Sequence, residues 1–119
     1  MKKDRELLEL AAKALGYDTS HELNEKRLNW SPPVAGLHIP GVSFTWNPIN
    51  LSNHALDMAV TLGLSFYNNR ADANIEVFLW ALDGRKKVLD FPVDYNAPEI
   101  VSVRRAIVTA AARIVSGDV

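Results

Sequence analysis

Hydrophobic residues recur at helical spacing in three segments of the chain, near its start, in its middle and at its end. Apolar positions three and four residues apart are typical of amphipathic helices, so we expect helices over about residues 4–15, 53–62 and 97–115. A glycine that follows each segment can adopt the left-handed conformation that ends many helices. These glycines are Gly16, Gly63 and Gly117.

Alternation of apolar and polar residues predicts strands between these helices. Residues 42–46 place Val42, Phe44 and Trp46 on one side, which is the pattern of a half-buried strand. We expect all three to face the core, with an Asn-Pro turn then leading into the middle helix. On this interpretation Trp46 holds the chain together and does not bind an external ligand. The run LSFY, residues 64–67, predicts another strand.

The clearest hairpin covers residues 75–93, where two β-rich runs flank an Asp-Gly turn. Phe78 and Trp80 lie on one face of its first strand, and Ile75 and Val77 lie on the other. Both faces are therefore largely apolar. Such a sheet needs cover on both sides, from helices, a long loop or a second subunit.

The segment from residue 17 to about residue 40 shows no sustained periodicity and mixes charged residues with proline and glycine. It is either a long irregular connection or a set of short strands separated by turns. Long loops inside small domains are often functional. We therefore regard residues 17–41 as a candidate functional region.

The predicted order of elements is α, β, α, β, β, β, α. This order indicates an α+β fold, a layered α/β/α sandwich of three helices and a small, mostly antiparallel sheet. A chain of 119 residues is expected to form a single domain, residues 1–119.

Charge and composition disfavour several classes of function. The net charge of −1 argues against a dedicated nucleic-acid binder, which needs a basic surface for phosphates. The absence of cysteine removes disulfides, thiolate nucleophiles and cysteine-based metal sites. The start MKKDRELLEL is not a signal peptide, and no apolar run approaches the ~20 residues needed to cross a bilayer. We therefore predict a cytoplasmic protein with no membrane partner.

Three segments of the chain resemble the phage ABA-sandwich family of small phage and prophage proteins. They are DRELLELAAKALGY near the start, WNPINLSNHALDMAVTLGLSF in the middle and VRRAIVTAAARI near the end. The resemblance implies a sandwich fold and a phage or prophage accessory protein acting in the cytoplasm of a bacterial host. One departure is His54, because relatives often carry acidic residues between the Trp-Asn-Pro turn and the middle helix.

No reaction motif is found in the sequence, which has no nucleophile elbow, no phosphate-binding glycine loop and no HExxH. His54 and Asp57 are three residues apart on a predicted helix and could contribute two metal ligands. The simpler interpretation is a solvated helix face. We predict no enzymatic activity, no metal and no cofactor.

The candidate interface residues are aromatic or basic. Trp80, on the face of Phe78, is the residue expected to anchor a partner, and Trp30 lies in the loop region. Neither FTW nor VFLW has an interleaved Lys or Arg, so we favour core packing or a dimer interface over base stacking. Arg104 and Arg105 either contact phosphate or an acidic partner, or extend a polar helix face and pair with acids such as Glu99. 

These observations predict a protein that acts by binding another protein, from the host or the phage, with a homodimer formed on the same apolar surface. A host defence or regulatory protein is one such partner. The alternative is a small-ligand or nucleotide sensor with a pocket between residues 17–41 and the sheet. DNA binding through the last helix and enzymatic activity are weaker alternatives.

Overall fold

The structure of the protein is a computed structural model, which describes residues 2–81 and 83–117. The described residues form an α+β fold of four helices and five strands. In chain order these are α1 (Lys2–Ala14), α2 (Glu22–Leu28), β1 (Leu37–Ile39), β2 (Ser43–Trp46), α3 (Ser52–Leu62), β3 (Leu64–Asn69), β4 (Asn74–Ala81), β5 (Gly84–Pro92) and α4 (Glu99–Ser116).

The strands form two separate antiparallel sheets. β1 pairs with β2 in a short ribbon, and β3, β4 and β5 form a three-stranded meander in that order. In the meander Ser65 of β3 is opposite Phe78, and Trp80 of β4 is opposite Arg85. A register shift between Val77 and Phe78 accommodates one extra residue of β5.

The core is centred on α4, which packs against β4, β5 and α3 and also against α1. Small residues line its buried side and allow neighbouring elements to approach closely. Ile75 and Val77 of β4 are fully buried on the covered face of the meander. One of the two apolar faces expected to need cover is therefore covered, whereas the face of Phe78 and Trp80 leaves Trp80 61% exposed.

The predicted helices, the hairpin and the α+β class are confirmed, with α3 and α4 ending before Gly63 and Gly117 in the left-handed conformation. The predicted number of three helices is wrong, because α2 forms inside the segment thought to lack regular structure. That segment contains the short strand β1, as the second alternative allowed, and a short helix, which neither alternative anticipated. The short helix lacks an apolar stripe, so its periodicity could not reveal it.

Two buried arginines, which we call the arginine clamp, fix the segment between α1 and β2. Arg5 donates to the carbonyl oxygens of Asn24, Val34 and Ala35 at 2.6, 3.0 and 3.0 Å. Arg27 donates to those of Gly36 and Phe44 at 3.0 and 2.6 Å. Burial lowers the pKa of both guanidinium groups, and the charge of Arg5 further lowers the pKa of Arg27.

The predicted inward face of Val42, Phe44 and Trp46 is only partly correct. Trp46 is buried and packs edge-on against Tyr17, with ring centroids 5.7 Å apart. Val42 lies in the turn before β2, and Phe44 is 65% exposed. The Phe44 ring packs instead on the Arg27 guanidinium, 4.8 Å from its centroid, so a cation–π contact replaces the expected core contact.

Candidate binding surfaces

The uncovered face of the meander carries a cluster of aromatic side chains. We call Tyr67, Phe78, Trp80 and Arg85 the aromatic face; they come from β3, β4 and β5 and point to the side opposite Ile75 and Val77. Tyr67 is 59% and Trp80 is 61% exposed. Such large aromatic side chains leave extensive apolar surface in contact with water.

Arg85 interleaves with the aromatic rings across the strands. It is opposite Trp80 in the register, and its guanidinium lies 4.3 Å from the centroid of Phe78. This is cation–π geometry. This alternation is not visible within either strand of the sequence, because the basic residue comes from the neighbouring strand. The short turn of the hairpin fixes the register of its strands, and this register could have placed Arg85 opposite Trp80.

The other end of the same face is polar, and its charged side chains pair with one another. Lys87 forms ion pairs with Glu76 at 3.0 Å and with Asp90 at 3.2 Å, and Asn69 donates to Glu76 at 3.0 Å. Hydrogen bonds from Lys87 and Asn69 lower the pKa of the Glu76 carboxyl group. The hydrogen bond that Lys87 donates to Glu76 raises the pKa of the Lys87 ammonium group. A depression of about 490 Å³ between Tyr67, Glu76, Phe78 and Arg85 joins the two ends.

The predicted interface residues lie in three places. Phe78 and Trp80 share the aromatic face, as expected from strand alternation. Trp30 follows α2 and is 46% exposed, with the Arg27 guanidinium 6.0 Å from its ring centroid. Trp30 therefore belongs to the surroundings of the arginine clamp.

Arg104 and Arg105 make contacts within the chain. Arg104 donates to the Ile49 carbonyl oxygen at 2.8 Å and to the Ser52 hydroxyl at 3.0 Å. Arg105 donates twice to Asp4, at 3.2 and 3.1 Å, which joins α4 to α1. Glu99, the acid considered for these arginines, pairs instead with Arg70 at 3.2 Å.

His54 lies at the start of α3, where its Nδ1 accepts a hydrogen bond from the Asn47 backbone N–H at 2.9 Å. This bond occupies the nitrogen and fixes the chain entering α3. Burial lowers the pKa of His54, and the nearby charge of Asp57 partly offsets that effect. Among the described residues, no group of three or more His, Cys, Asp or Glu side chains is arranged to hold a metal ion.

Comparisons with family models, curated proteins and solved structures give no match for this chain. The resemblance to the phage ABA-sandwich family stays a prediction. Of the helices within residues 2–81 and 83–117, none is both long enough and apolar enough to cross a membrane.

Proposed function

We propose that this protein is a non-enzymatic phage or prophage accessory protein that binds a host or phage protein in the bacterial cytoplasm. The observation that supports protein binding is the exposure of Tyr67 and Trp80 on the aromatic face. The phage setting rests on the sequence resemblance, which also motivates a host defence or regulatory protein as the partner.

The energetic argument concerns the water-exposed rings of Tyr67 and Trp80. Fully burying one large apolar side chain stabilises an assembly by about 1.5–3 kcal/mol. Trp, Tyr and Arg are also the residues most enriched among side chains that dominate binding energy. Arg85 completes such a set beside Trp80.

The predicted layered α/β/α sandwich belongs to the same proposal. Within the described part of the chain, α3 and α4 pack on one face of the meander, while the aromatic face is exposed. A partner that lays a helix or a sheet over this face would supply the missing layer. A second copy of the chain is one such partner, and it would produce the expected homodimer.

The experiment compares the wild-type protein with the double variant Tyr67→Thr/Trp80→Thr, because threonine keeps a high strand propensity. Tyr95→Thr is the matched control, since Tyr95 is 60% exposed in the loop after β5. Proteins recovered with each variant from bacterial lysate are identified, and the partner is purified and titrated by calorimetry.

We expect the double variant to weaken partner binding at least about 30-fold and the Tyr95 variant to leave it unchanged. Light scattering of the isolated protein tests whether the partner is a second copy. A partner that binds the double variant with unaltered affinity would refute the aromatic face as the binding site.

A second candidate function is single-stranded nucleic-acid binding on the same face. The alternation of Trp80, Arg85 and Phe78 favours it, because stacking surfaces for bases combine aromatic rings with basic side chains. The pairing of Lys87 with Glu76 and Asp90 and the net charge of −1 argue against it. Fluorescence anisotropy with labelled poly-dT and poly-rU tests this candidate. Binding to the phosphate backbone must weaken steeply as the salt concentration rises.

The alternative of a small-ligand or nucleotide sensor finds limited support at the 17–41 segment. Tyr17, Asp18 and Thr19 line an open cavity of about 570 Å³ with residues of α1. In that cavity Glu6, Glu9 and Asp18 outnumber Lys13, so its net negative charge disfavours the phosphates of a nucleotide. Thermal shift against nucleotides tests this alternative, and no stabilisation is expected.

A further inference from the structure

The uncovered side of the meander carries opposite charges at its two ends. Successive side chains of a strand alternate between the two sides of a sheet, so the register of β4 with β5 shows which charged residues share this side. The facing pairs on it are Arg85 with Trp80, Lys87 with Phe78, and Asp90 with Glu76. A basic residue therefore marks one end of this side, and two carboxylates mark the other.

Each end keeps one charge that the chain itself does not pair. Arg85 packs on the Phe78 ring, and in the part of the chain that the structure describes no carboxylate lies at ion-pair distance from it. At the other end, the single ammonium group of Lys87 serves both Glu76 and Asp90, which leaves one negative charge over. The Asp90 side chain is half exposed and therefore accessible to a second cation.

This arrangement of charges is complementary to itself. The centre of the face is Phe78, with Lys87 opposite it. A two-fold axis through this centre, in the plane of contact and perpendicular to the strands, reverses the strand direction and leaves β5 facing β5 of a second copy. Arg85 then lies opposite Asp90 of the second copy, and the contact occurs twice because a two-fold interface uses the same patch on both subunits. The two Lys87 side chains meet at the axis, where carboxylates of their own chains offset their charge.

The face is small, and the molecule carries little net charge. Three strands ~4.8 Å apart, with the eight residues of β4 rising ~3.4 Å each, give a footprint of roughly 400 Å² per copy. Such an interface lies at the weak end of specific protein–protein contacts, below ~1,200 Å² in total. The net charge of −1 offers little repulsion against self-association. A weak, reversible dimer fits both observations.

We propose that the aromatic face binds a second copy of this chain, face to face and with the strands reversed, to form a two-fold symmetric dimer. Each Arg85 pairs with Asp90 of the other copy, and the rings of Phe78 and Trp80 are covered between the two sheets. The inference rests on the proposed protein-binding role of this face and names its occupant. A foreign partner on the same face would have to displace the second copy.

The first test is sedimentation velocity of the isolated protein between about 1 and 200 µM, where we expect a monomer–dimer equilibrium with a dissociation constant on the order of 10 µM. Arg85→Glu is expected to weaken the dimer at least about tenfold, because both charge pairs become repulsive. Lys86→Glu is the matched control. It makes the same charge change one residue along β5, but Lys86 lies opposite Leu79 and therefore on the other side of the meander.

The second test exchanges the charges across the interface. Asp90→Arg alone is expected to weaken the dimer as Arg85→Glu does. An equimolar mixture of the two variants is expected to associate again, because the acidic side chain introduced in one copy meets the basic side chain introduced in the other. The double variant Arg85→Glu/Asp90→Arg is expected to recover the homodimer for the same reason. Circular dichroism of each variant checks that it folds.

Any of three results overturns the inference. A protein that stays monomeric at the highest concentration has no such dimer, yet a foreign partner on the aromatic face remains testable in lysate, so the proposed function does not fall with it. Equal weakening by the Arg85 and Lys86 variants would place the contact elsewhere. Charge-exchanged variants that do not associate would exclude the reversed-strand arrangement.

Discussion

The arginine clamp and the aromatic face reverse the usual relation between polarity and burial. Arg27 is 1% exposed, whereas Trp80 is 61% exposed. Around the clamp, irregular backbone carbonyls need donors that the segment's own backbone does not provide, and a buried guanidinium satisfies several at once. In the meander, the paired strands satisfy one another's backbone hydrogen bonds. The side chains of the aromatic face are therefore not needed as donors to the backbone.

This difference shows that the absence of periodicity in residues 17–41 accompanies a backbone held in place by buried side chains. The 17–41 segment was a functional candidate because it lacked periodicity. Arg5 instead ties it to α1 through the Asn24 carbonyl oxygen, and Asn24 and Arg27 hold its own turns together through the carbonyl oxygens of His38 and Gly36. On the aromatic face, by contrast, Tyr67 and Trp80 lie largely in water.

The largest effect is expected from removing the clamp. Arg27→Ala removes the donor to the buried Gly36 carbonyl oxygen and to the part-buried Phe44 carbonyl oxygen, and it opens a cavity. We expect a loss of about 3–5 kcal/mol in the free energy of unfolding, measured by urea denaturation. Lys26→Ala is the control, because Lys26 is exposed and its 3.8 Å pair with Glu22 is worth less than ~0.5 kcal/mol. Equal stability of the two variants would contradict the role of the clamp.

A steric change beside the clamp is expected to have the next largest effect. A Cβ atom at Gly36 would lie 2.6 Å from Thr45 Cγ2, so Gly36→Ala requires the Thr45 side chain to rotate or β2 to shift. We expect a cost of about 1–3 kcal/mol by thermal or urea unfolding. Thr45→Ser removes the clashing methyl group, and the double variant is expected to recover most of the loss. Failure of this rescue would show that the strain lies elsewhere.

The contrast also explains which features were predictable from the sequence. Apolar periodicity and glycine stop signals predict helices α1, α3 and α4 and the hairpin, because the burial of apolar residues determines where these elements form. The clamp was missed because an arginine in a polar stretch looks solvated, and its carbonyl partners lie up to 30 residues away in sequence. Arg85 beside Trp80 was missed because the pairing depends on register across strands.

A smaller effect on stability is expected from protonation of His54. Its Nδ1 accepts the hydrogen bond from the Asn47 N–H at the start of α3. Its folded-state pKa is lowered, so the unfolded chain binds a proton first as the pH falls. Stability is therefore fully present above about pH 6.5 and is lost as the pH falls toward the folded-state pKa. The slope cannot exceed ~1.4 kcal/mol per pH unit for one proton. His54→Asn is expected to flatten the pH dependence of stability below about pH 7, and an unchanged slope would contradict this assignment.

The smallest effect on stability is expected on the aromatic face. Trp80→Thr keeps strand propensity and removes a ring that is largely in water, so the free energy of unfolding should change by less than ~0.5 kcal/mol. Trp46→Thr, the same change at a buried position, should cost about 3–5 kcal/mol in the same urea titration. A large loss in the Trp80 variant would mean that its ring stabilises the isolated chain, and the contrast between the two regions would disappear. A small loss together with loss of partner binding would show that Trp80 serves recognition, because the fold does not need its ring.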